Sequence, residues 1–210
     1  MPVERRRRWR WWYTVIVAVV VILIPAAIVA APILFHGPQG SSGQGESVEE
    51  WPLSVSADGD DGRTRRLSVR AEEGSLDTSA LEVGRHIVVT GSGYDPGRGI
   101  YVAICRIPPE GEKPGPCLGG IPEGEQKVAE GSVHYAPSNW INDDWAWKLL
   151  GARSYDDHEK GTFTAYLEVG EPVSDTLDCR AEACGVFTRN DHTALADRVQ
   201  DLYLPVAFAG

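Results

Sequence analysis

The sequence lacks the short motifs that usually reveal an enzyme. It has no phosphate-binding loop, no His-Glu-x-x-His pair of metal ligands and no Gly-x-Ser-x-Gly turn, since Ser92 lies within Gly-Ser-Gly instead. Its four cysteines lack the paired short spacings of a zinc site. We therefore predict no catalytic residue, no metal site and no cofactor, and we expect a protein that acts by binding.

Charged residues are absent from one long stretch near the N-terminus. No Asp, Glu, Lys or Arg occurs from Trp11 to Phe35, a run of about 25 residues, whereas a helix needs roughly 20 to cross a bilayer. Five arginines lie just before this run, and positive charge before a first span stays on the cytoplasmic side. We predict a cytoplasmic basic tail (1–10), a transmembrane signal-anchor helix (11–35) and a single-pass cell-membrane protein whose C-terminal domain is extracytoplasmic.

A cleaved signal peptide is the alternative interpretation of this stretch. A basic start followed by an apolar run that ends in small residues such as Ala30 and Ala31 looks similar. Cleavage after Ala31 would leave Pro32 as the first mature residue, which signal peptidases handle badly, and the apolar run continues to Phe35. We prefer the uncleaved anchor, with a secreted protein as the other outcome, and both interpretations place the remaining chain outside the cytoplasm.

The residues beyond the apolar stretch are acidic. Five arginines and one glutamate precede His36, so 15 of the 20 Lys+Arg and 29 of the 30 Asp+Glu remain, a net charge of −14. Such a domain is repelled by phosphate backbones, and we expect no nucleic-acid partner. Residues 36–50 are mainly Gly, Ser, Gln, Glu and Pro, which predicts a flexible linker before one folded domain at 51–210.

Short runs rich in β-branched and aromatic residues fill the outer domain, separated by Gly, Pro, Asp and Asn. This all-β pattern predicts seven antiparallel strands in a two-sheet sandwich, with 53–57 as an added edge strand. The predicted strands are 67–71, 86–90, 100–105, 126–130, 162–169, 184–188 and 203–208. Residues 194–202 fit a short helix as well as an extended approach to the last strand.

All four cysteines lie beyond the apolar stretch, where an oxidising compartment favours disulfides. Four cysteines allow three pairings, and we predict the two local ones, Cys105 with Cys117 and Cys179 with Cys184. The first pair would tie a Pro- and Gly-rich loop to the end of a strand, and the second would clamp the turn that enters another strand. A zinc site formed by all four thiolates is the alternative.

Three segments resemble a known family. Residues 178–187 (Asp-Cys-Arg-Ala-Glu-Ala-Cys-Gly-Val-Phe) and 204–208 (Leu-Pro-Val-Ala-Phe) resemble the end of the neocarzinostatin family of chromophore-carrying apoproteins. Residues 88–105 resemble the strand-turn-strand of that family, and more closely that of secreted bacterial proteins found alongside haem-transport-associated domains. The resemblance covers about half of the outer domain. It implies a seven-stranded immunoglobulin-like sandwich with two local disulfides.

The resemblance does not extend to the ligand. Neocarzinostatin carries an enediyne chromophore in a cleft, but residues 131–160 here are longer and differently composed than the family implies. Aromatic residues are dense in this segment, beside His134 and His158, and could wall a pocket for a flat ligand. Alternatively, the tryptophans share a face by strand alternation and cover the open end of the sandwich. The candidate ligand-binding residues are Tyr135, Trp140, Trp145, Trp147 and Tyr155.

Haem uptake is one alternative function, because tyrosine and histidine are known axial ligands of haem iron. The family association favours it, whereas the sequence contains no clear ligand set. One candidate tyrosine lies in a Gly-Ser-Gly-Tyr-Asp-Pro-Gly turn whose composition is explained by backbone geometry alone. The candidate ligands are Tyr94, Tyr101, His134 and Tyr135.

Hydrolysis of cell-envelope glycans is the second alternative. A glycosidase needs two carboxylates on opposite sides of a cleft, and the acid pairs Asp143-Asp144 and Asp156-Asp157 are the candidates. The acidic stretch Asp58-Gly-Asp-Asp-Gly offers oxygen ligands for calcium but lacks the downstream bidentate Glu, so a solvated turn is favoured. Taken together, the sequence predicts a membrane-anchored extracytoplasmic binding or interaction module without catalysis. Its expected partner is a small hydrophobic ligand or a surface protein.

Overall fold

The apolar stretch forms one long helix, α1, which runs Val3–Leu34. The computed structural model describes residues 3–45, 47–109, 111–119 and 133–210. Within α1, Trp11–Ile28 is long and apolar enough to cross a membrane and is not buried by protein, as is also true of a signal sequence. The chain divides into two units, Met1–His36, which contains α1, and Gly37–Gly210.

The second unit is a sandwich of two antiparallel four-stranded sheets. Its strands are β1 Ser54–Asp58, β2 Thr64–Ala71, β3 His86–Ser92, β4 Ile100–Arg106, β5 Ser138–Ile141, β6 Phe163–Glu168, β7 Cys184–Asn190 and β8 Tyr203–Val206. The first sheet has the order β1-β2-β3-β6 and the second the order β5-β4-β7-β8. The predicted all-β sandwich is therefore confirmed.

Side-chain alternation determines which face of each strand meets the core. In β4, Ile100, Val102 and Ile104 belong to the main apolar cluster between the sheets. Ala103 and Cys105 point the other way and join a second, smaller apolar cluster. The centre of this sheet is thus covered on both faces.

The predicted strands at 67–71, 86–90, 100–105, 162–169, 184–188 and 203–208 are present, as is the added edge strand at 53–57. The prediction at 126–130 falls outside the described residues. The described residues contain eight strands. One of them, β5, was not predicted. Asn139 conceals β5, since this polar residue is buried and its side-chain amide bonds both the backbone N–H (3.1 Å) and the backbone carbonyl (2.9 Å) of Tyr166.

The stretch at 194–202 is neither helix nor extended strand. Backbone N–H groups of Ala194, Asp197 and Asp201 donate to carbonyls three residues earlier, at 3.2, 3.0 and 3.1 Å, which produces successive turns. Both interpretations offered by the sequence are corrected here. The turns deliver the chain to the start of β8.

The two local disulfides are confirmed. Cys105 is bonded to Cys117 and Cys179 to Cys184, so the structure contains no four-thiolate zinc site. The apolar N-terminal helix and the paired thiols together indicate an extracytoplasmic domain.

The residues before β1 are hydrogen-bonded to the sandwich. The Gln39 N–H donates to Asp197 (3.1 Å), and the Ser41 carbonyl accepts from the Asp60 N–H (3.0 Å). The Gln44 side chain donates to the Tyr203 carbonyl (2.9 Å) and accepts from the Tyr203 N–H (2.8 Å). Residues 36–50 were predicted to be a flexible linker because they lack apolar side chains. The contacts at Gln39, Ser41 and Gln44 are polar, so a search for apolar side chains does not find them.

Glycine is required at the turn that precedes Tyr94. Gly93 has φ +78°, and a Cβ there would clash with the backbone carbonyl of Thr64. Backbone geometry thus accounts for the Gly-Ser-Gly-Tyr-Asp-Pro-Gly composition, as the sequence predicted. The turn directs the Tyr94 side chain into the core, where it is fully buried.

Candidate functional site

The structure does not bring the five predicted ligand-binding aromatics around one cavity. Tyr135 packs beside the first sheet, and Trp140 and Trp147 lie together on the outer face of the second. Tyr155 belongs to the main core, and Trp145 is 67% exposed. These residues are close in sequence but lie in four different places, because the chain passes from the side of the first sheet through β5 in the second sheet and a short helix before it enters β6.

Trp140 is packed rather than open. It lies opposite Tyr101 in the register of β4 with β5 and is only 9% exposed. Its indole N–H donates to Oδ2 of Asp191 at 2.8 Å, and the ring of His192 meets it edge-on at 5.3 Å. The polar edge that the sequence offered to a ligand is therefore used within the protein.

Trp147 completes an aromatic cluster with Trp140, Tyr101 and His192. Its ring stands perpendicular to the imidazole of His192 at 4.5 Å, and the Tyr101 hydroxyl lies 3.0 Å from Nδ1 of His192. The guanidinium of Arg189 lies over the Tyr101 ring at 5.6 Å. Burial, assisted by Asp191, raises the pKa of Tyr101 to about 12. In this aromatic cluster Trp140 is buried, whereas Tyr101, Trp147 and His192 are half-buried.

Trp145 and Trp147 are in a helix, α2 (Trp145–Lys148), and not in a strand. The predicted strand alternation is wrong because Asp144 caps the helix, accepting from the Ala146 N–H at 2.8 Å. In a helix, positions two apart face different directions. Trp147 therefore packs inward while Trp145 stays outside.

The candidate haem ligands Tyr94 and Tyr101 are occupied. The Tyr94 hydroxyl is 2.9 Å from Oγ1 of Thr188 in the core, and Phe163 packs edge-on against its ring at 5.0 Å. Burial raises the pKa of Tyr94 well above its ordinary value. Tyr94 cannot reach an external iron atom without leaving the core, and the hydroxyl of the half-buried Tyr101 is hydrogen-bonded with His192.

Tyr135 forms a stacked pair with His86 beside the first sheet. The two rings are 3.9 Å apart and nearly parallel, and Tyr166 meets Tyr135 edge-on at 5.5 Å. His86 Nδ1 lies 2.9 Å from a carboxylate oxygen of Glu72. Burial and then Glu72 raise the pKa of Tyr135 to about 12, and His134 beside it in sequence is half-buried.

The acid pairs proposed for hydrolysis have structural roles. Asp143 accepts from the Tyr155 N–H (3.0 Å) and lies 2.8 Å from Nδ1 of His158, while Asp144 caps α2. In the second acid pair, Asp157 accepts from Lys160 (2.8 Å) and Asp156 accepts from the Thr164 hydroxyl (2.7 Å). No group of three or more potential metal-ligating side chains occurs among the described residues.

The acidic stretch considered for calcium forms a turn. The Gly62 N–H donates to the Gly59 carbonyl at 2.9 Å. Asp60 accepts from the Ser41 N–H (2.7 Å), and Asp61 accepts from the buried guanidinium of Arg65 (2.9 Å). Asp58 accepts from the Thr64 hydroxyl (2.6 Å), so all three carboxylates already bind protein donors.

Sequence reasoning missed a cavity of about 360 Å³ at the edge of the second sheet. Phe187 and Tyr203 line it and stack at 4.9 Å with 22° between their rings. One wall comes from 41–45, and another from 108–109 and 111–114 within the loop closed by the Cys105–Cys117 disulfide. The two walls come from segments predicted to be linker and loop, so strand patterns did not reveal them.

One end of this cavity carries the ion pair Arg198–Asp201, with Nη1 and Oδ2 2.7 Å apart. Oδ1 of Asp201 is buried without a hydrogen-bond partner among the described residues. Burial raises the pKa of Asp201 to about 7 despite Arg198. The cavity thus combines an aromatic surface with ionisable and amide groups, as small-molecule sites commonly do.

Comparisons with known proteins add little to this geometry. No family model and no curated protein matches the sequence. The solved structure of macromomycin is similar with a TM-score of 0.36 and 18% identity, over 68% of this chain and 99% of that one. A TM-score and an identity this low do not identify a ligand or a family for this chain. The resemblance to the neocarzinostatin family therefore stays a prediction.

Proposed function

We propose that this chain is a membrane-anchored, extracytoplasmic binding module without catalysis. The anchor is the uncharged part of α1, preceded by five arginines. The four paired cysteines suit an oxidising compartment outside the membrane. The carboxylates considered for hydrolysis are engaged in caps and hydrogen bonds, which favours binding over catalysis.

The ligand is proposed to be a small molecule with a flat apolar part. The observation that carries this proposal is the cavity of about 360 Å³ over the stacked rings of Phe187 and Tyr203. Its size falls in the ordinary range for small-molecule sites. The Arg198–Asp201 pair, which also lines the cavity, would orient polar groups of the ligand. The packed aromatic cluster leaves less room for a ligand at Trp140.

The cavity can be tested by filling it. Gly45 lines the cavity, and a Cβ added there meets nothing within 4 Å, so a larger side chain can be attached at this position. Gly170 is equally open but does not line the cavity, so Gly170→Phe is the matched control. The probe is 8-anilinonaphthalene-1-sulfonate, titrated by fluorescence into the oxidised outer unit, residues 37–210.

We expect Gly45→Phe to weaken probe binding at least about tenfold, or about 1.4 kcal/mol. Gly170→Phe should change the Kd less than about twofold, or 0.4 kcal/mol. Equal weakening by both variants, or by neither, would contradict a ligand site in this cavity and favour the surface-protein partner. Thermal unfolding of both variants checks that the sandwich is retained.

The anchor has its own test. Membranes from cells that express the full chain are washed with alkaline carbonate, and the retained protein is analysed by intact mass. An uncleaved anchor predicts that the protein stays with the membrane and keeps residues 1–36. A protein released from the membrane without these residues would show that the N-terminal helix is a cleaved signal.

A further inference from the structure

The α2 region presents three large apolar side chains to solvent, from Trp145, which begins the helix, and from Leu149 and Leu150, which directly follow it. Trp145 is 67% exposed, Leu149 76% and Leu150 63%, and we call these three residues the α2 tip. Neighbouring apolar side chains this exposed are unusual on a soluble surface and usually mark a contact site. The α2 tip lies outside the proposed ligand cavity.

The α2 tip is fixed by contacts between α2 and the second sheet. Asp144 caps the helix, and Trp147 packs against His192 and Trp140. The backbone on either side is joined by bonds from the Arg153 N–H to the Trp140 carbonyl (2.8 Å) and from the Asn142 N–H to the Arg153 carbonyl (2.7 Å). The exposed side chains therefore belong to a well-bonded element.

Size argues against a stable protein interface at this place. A standard protein–protein interface buries roughly 800 Å² on each partner, around a well-packed centre. Three side chains on and directly after one short helix supply only a part of that area. Attachment to a bilayer requires less buried apolar area, because a few apolar side chains suffice when a second signal holds the protein at the membrane.

The side-chain types favour the bilayer interface. Tryptophan is enriched at the headgroup level, and leucine contributes apolar surface below it. Lys148 lies on the same helix and is exposed, so it can meet lipid phosphate. Of the carboxylates directly before the helix, Asp143 is bonded to His158, and Asp144 accepts from the Ala146 N–H as the helix cap. The acidic charge of the whole domain disfavours an anionic surface and leaves a neutral one.

We propose that the α2 tip inserts into the headgroup region of a neutral phospholipid bilayer. The inference rests on the membrane anchor proposed above, which keeps the domain beside lipid at high effective concentration. Insertion covers Trp145, Leu149 and Leu150, whose exposure the fold does not otherwise explain.

The test uses the full chain in nanodiscs of dioleoylphosphatidylcholine, with the photoreactive residue benzoylphenylalanine at one position. The probe positions are 149 in the α2 tip, 20 in α1, and 83, where Val83 is an exposed apolar residue outside the tip (51%). After irradiation, mass spectrometry measures the fraction of protein that carries one lipid. We expect position 149 to give at least tenfold more lipid adduct than position 83, and position 20 to give adduct readily.

A second arm keeps the probe at position 150 and changes the rest of the α2 tip. Trp145→Asp with Leu149→Asp should lower the adduct at least tenfold, whereas Val83→Asp should leave it unchanged. If position 20 gives lipid adduct while positions 149 and 83 give equally little, the inference is overturned and the proposed anchor is retained. Crosslinks from 149 to a second copy of the chain also overturn it. Absence of adduct at position 20 overturns the anchor and the inference together.

Discussion

The indole N–H of Trp140 donates a 2.8 Å hydrogen bond to Asp191, whose side chain is fully buried. The same carboxylate accepts from the Asn142 amide (2.9 Å) and from the backbone N–H and hydroxyl of Thr193 (2.8 and 2.6 Å). One buried carboxylate thus joins β5, the residues after β7 and the start of the α2 region. This network fixes the position of Trp140 within the aromatic cluster.

Replacing Asp191 with alanine should therefore unfold the domain more readily. Asp191→Ala strands several buried donors, and we expect it to lower the free energy of unfolding by about 3 kcal/mol. Thr193→Val removes one donor together with its need for a partner and should cost about 1 kcal/mol. Urea unfolding of residues 37–210, followed by tryptophan fluorescence, measures both. Equal costs for the two variants would show that the carboxylate does not organise the network.

A second prediction concerns the buried guanidinium of Arg65. Arg65 is fully buried, bonds Asp61 through both terminal nitrogens, and has no partner for Nε among the described residues. Asp61→Ala should cost about 3–5 kcal/mol, because it leaves a buried charge unpaired. Arg65→Met combined with Asp61→Ala should cost less than Asp61→Ala alone. Urea unfolding at pH 7 gives these values.

The same pair predicts a pH dependence. The hydrogen bond from Arg65 lowers the pKa of Asp61 below its ordinary value of 3.8. A lowered folded-state pKa stabilises the fold above the unfolded value, and this contribution is lost as the pH falls through the folded-state pKa. The difference between wild type and Asp61→Ala should thus be full at pH 6 and shrink below pH 4. A difference that grows on acidification would contradict the ion pair.

Asp201 should act in the opposite direction. Burial raises its pKa from 3.8 to about 7, although Arg198 and Arg189 oppose this effect. Between about pH 4 and 7 the folded state holds a proton that the unfolded chain has lost, so stability falls as the pH rises. Asp201→Asn should be more stable than wild type above pH 7, by about 2–4 kcal/mol, and the gain should vanish near pH 4.

Urea unfolding at pH 4, 5.5, 7 and 8.5 measures this difference. Asp175 is exposed, so Asp175→Asn is a control whose effect should stay small throughout. A constant difference between Asp201→Asn and wild type across this range would show that Asp201 titrates normally. The Arg198 pair would then outweigh burial.

Tyr94→Phe tests the haem alternative. The Thr188 hydroxyl donates to the Gln200 carbonyl at 2.8 Å, so the Tyr94 hydroxyl donates to Thr188 at 2.9 Å. Phenylalanine leaves Thr188 its donor contact, and the loss of stability should be about 1 kcal/mol. Any haem absorbance seen with wild type should be unchanged in Tyr94→Phe. Loss of a Soret shift in this variant would restore haem uptake as a function.

The sandwich could be predicted from the sequence because most of its strands alternate strongly. Ile100, Val102 and Ile104 face the core as the alternation required. β5 was not predicted because Ser138 and Asn139 are polar although they are buried. They therefore do not contribute to an alternation of apolar and polar residues. Only the three-dimensional register shows that the Asn139 amide bonds the Tyr166 backbone in place of water.

The candidate site was predicted less well, for two physical reasons. Aromatic density cannot distinguish a pocket from a packed cluster, and the indole of Trp140 is satisfied by Asp191, which lies 51 residues away. The cavity over Phe187 and Tyr203 has walls from turns and from the stretch before β1, whose polar contacts leave no apolar pattern. Both features depend on contacts between distant parts of the chain.

The side chain of Gln44 also has a consequence for handling the protein. β8 is an outermost strand, and the Gln44 amide occupies its N–H and carbonyl at Tyr203, as a neighbouring strand would. A fragment that starts at residue 51 would leave these groups unpaired and open to strands of other molecules. Such a fragment should self-associate at high concentration, whereas one that starts at residue 37 should stay monomeric.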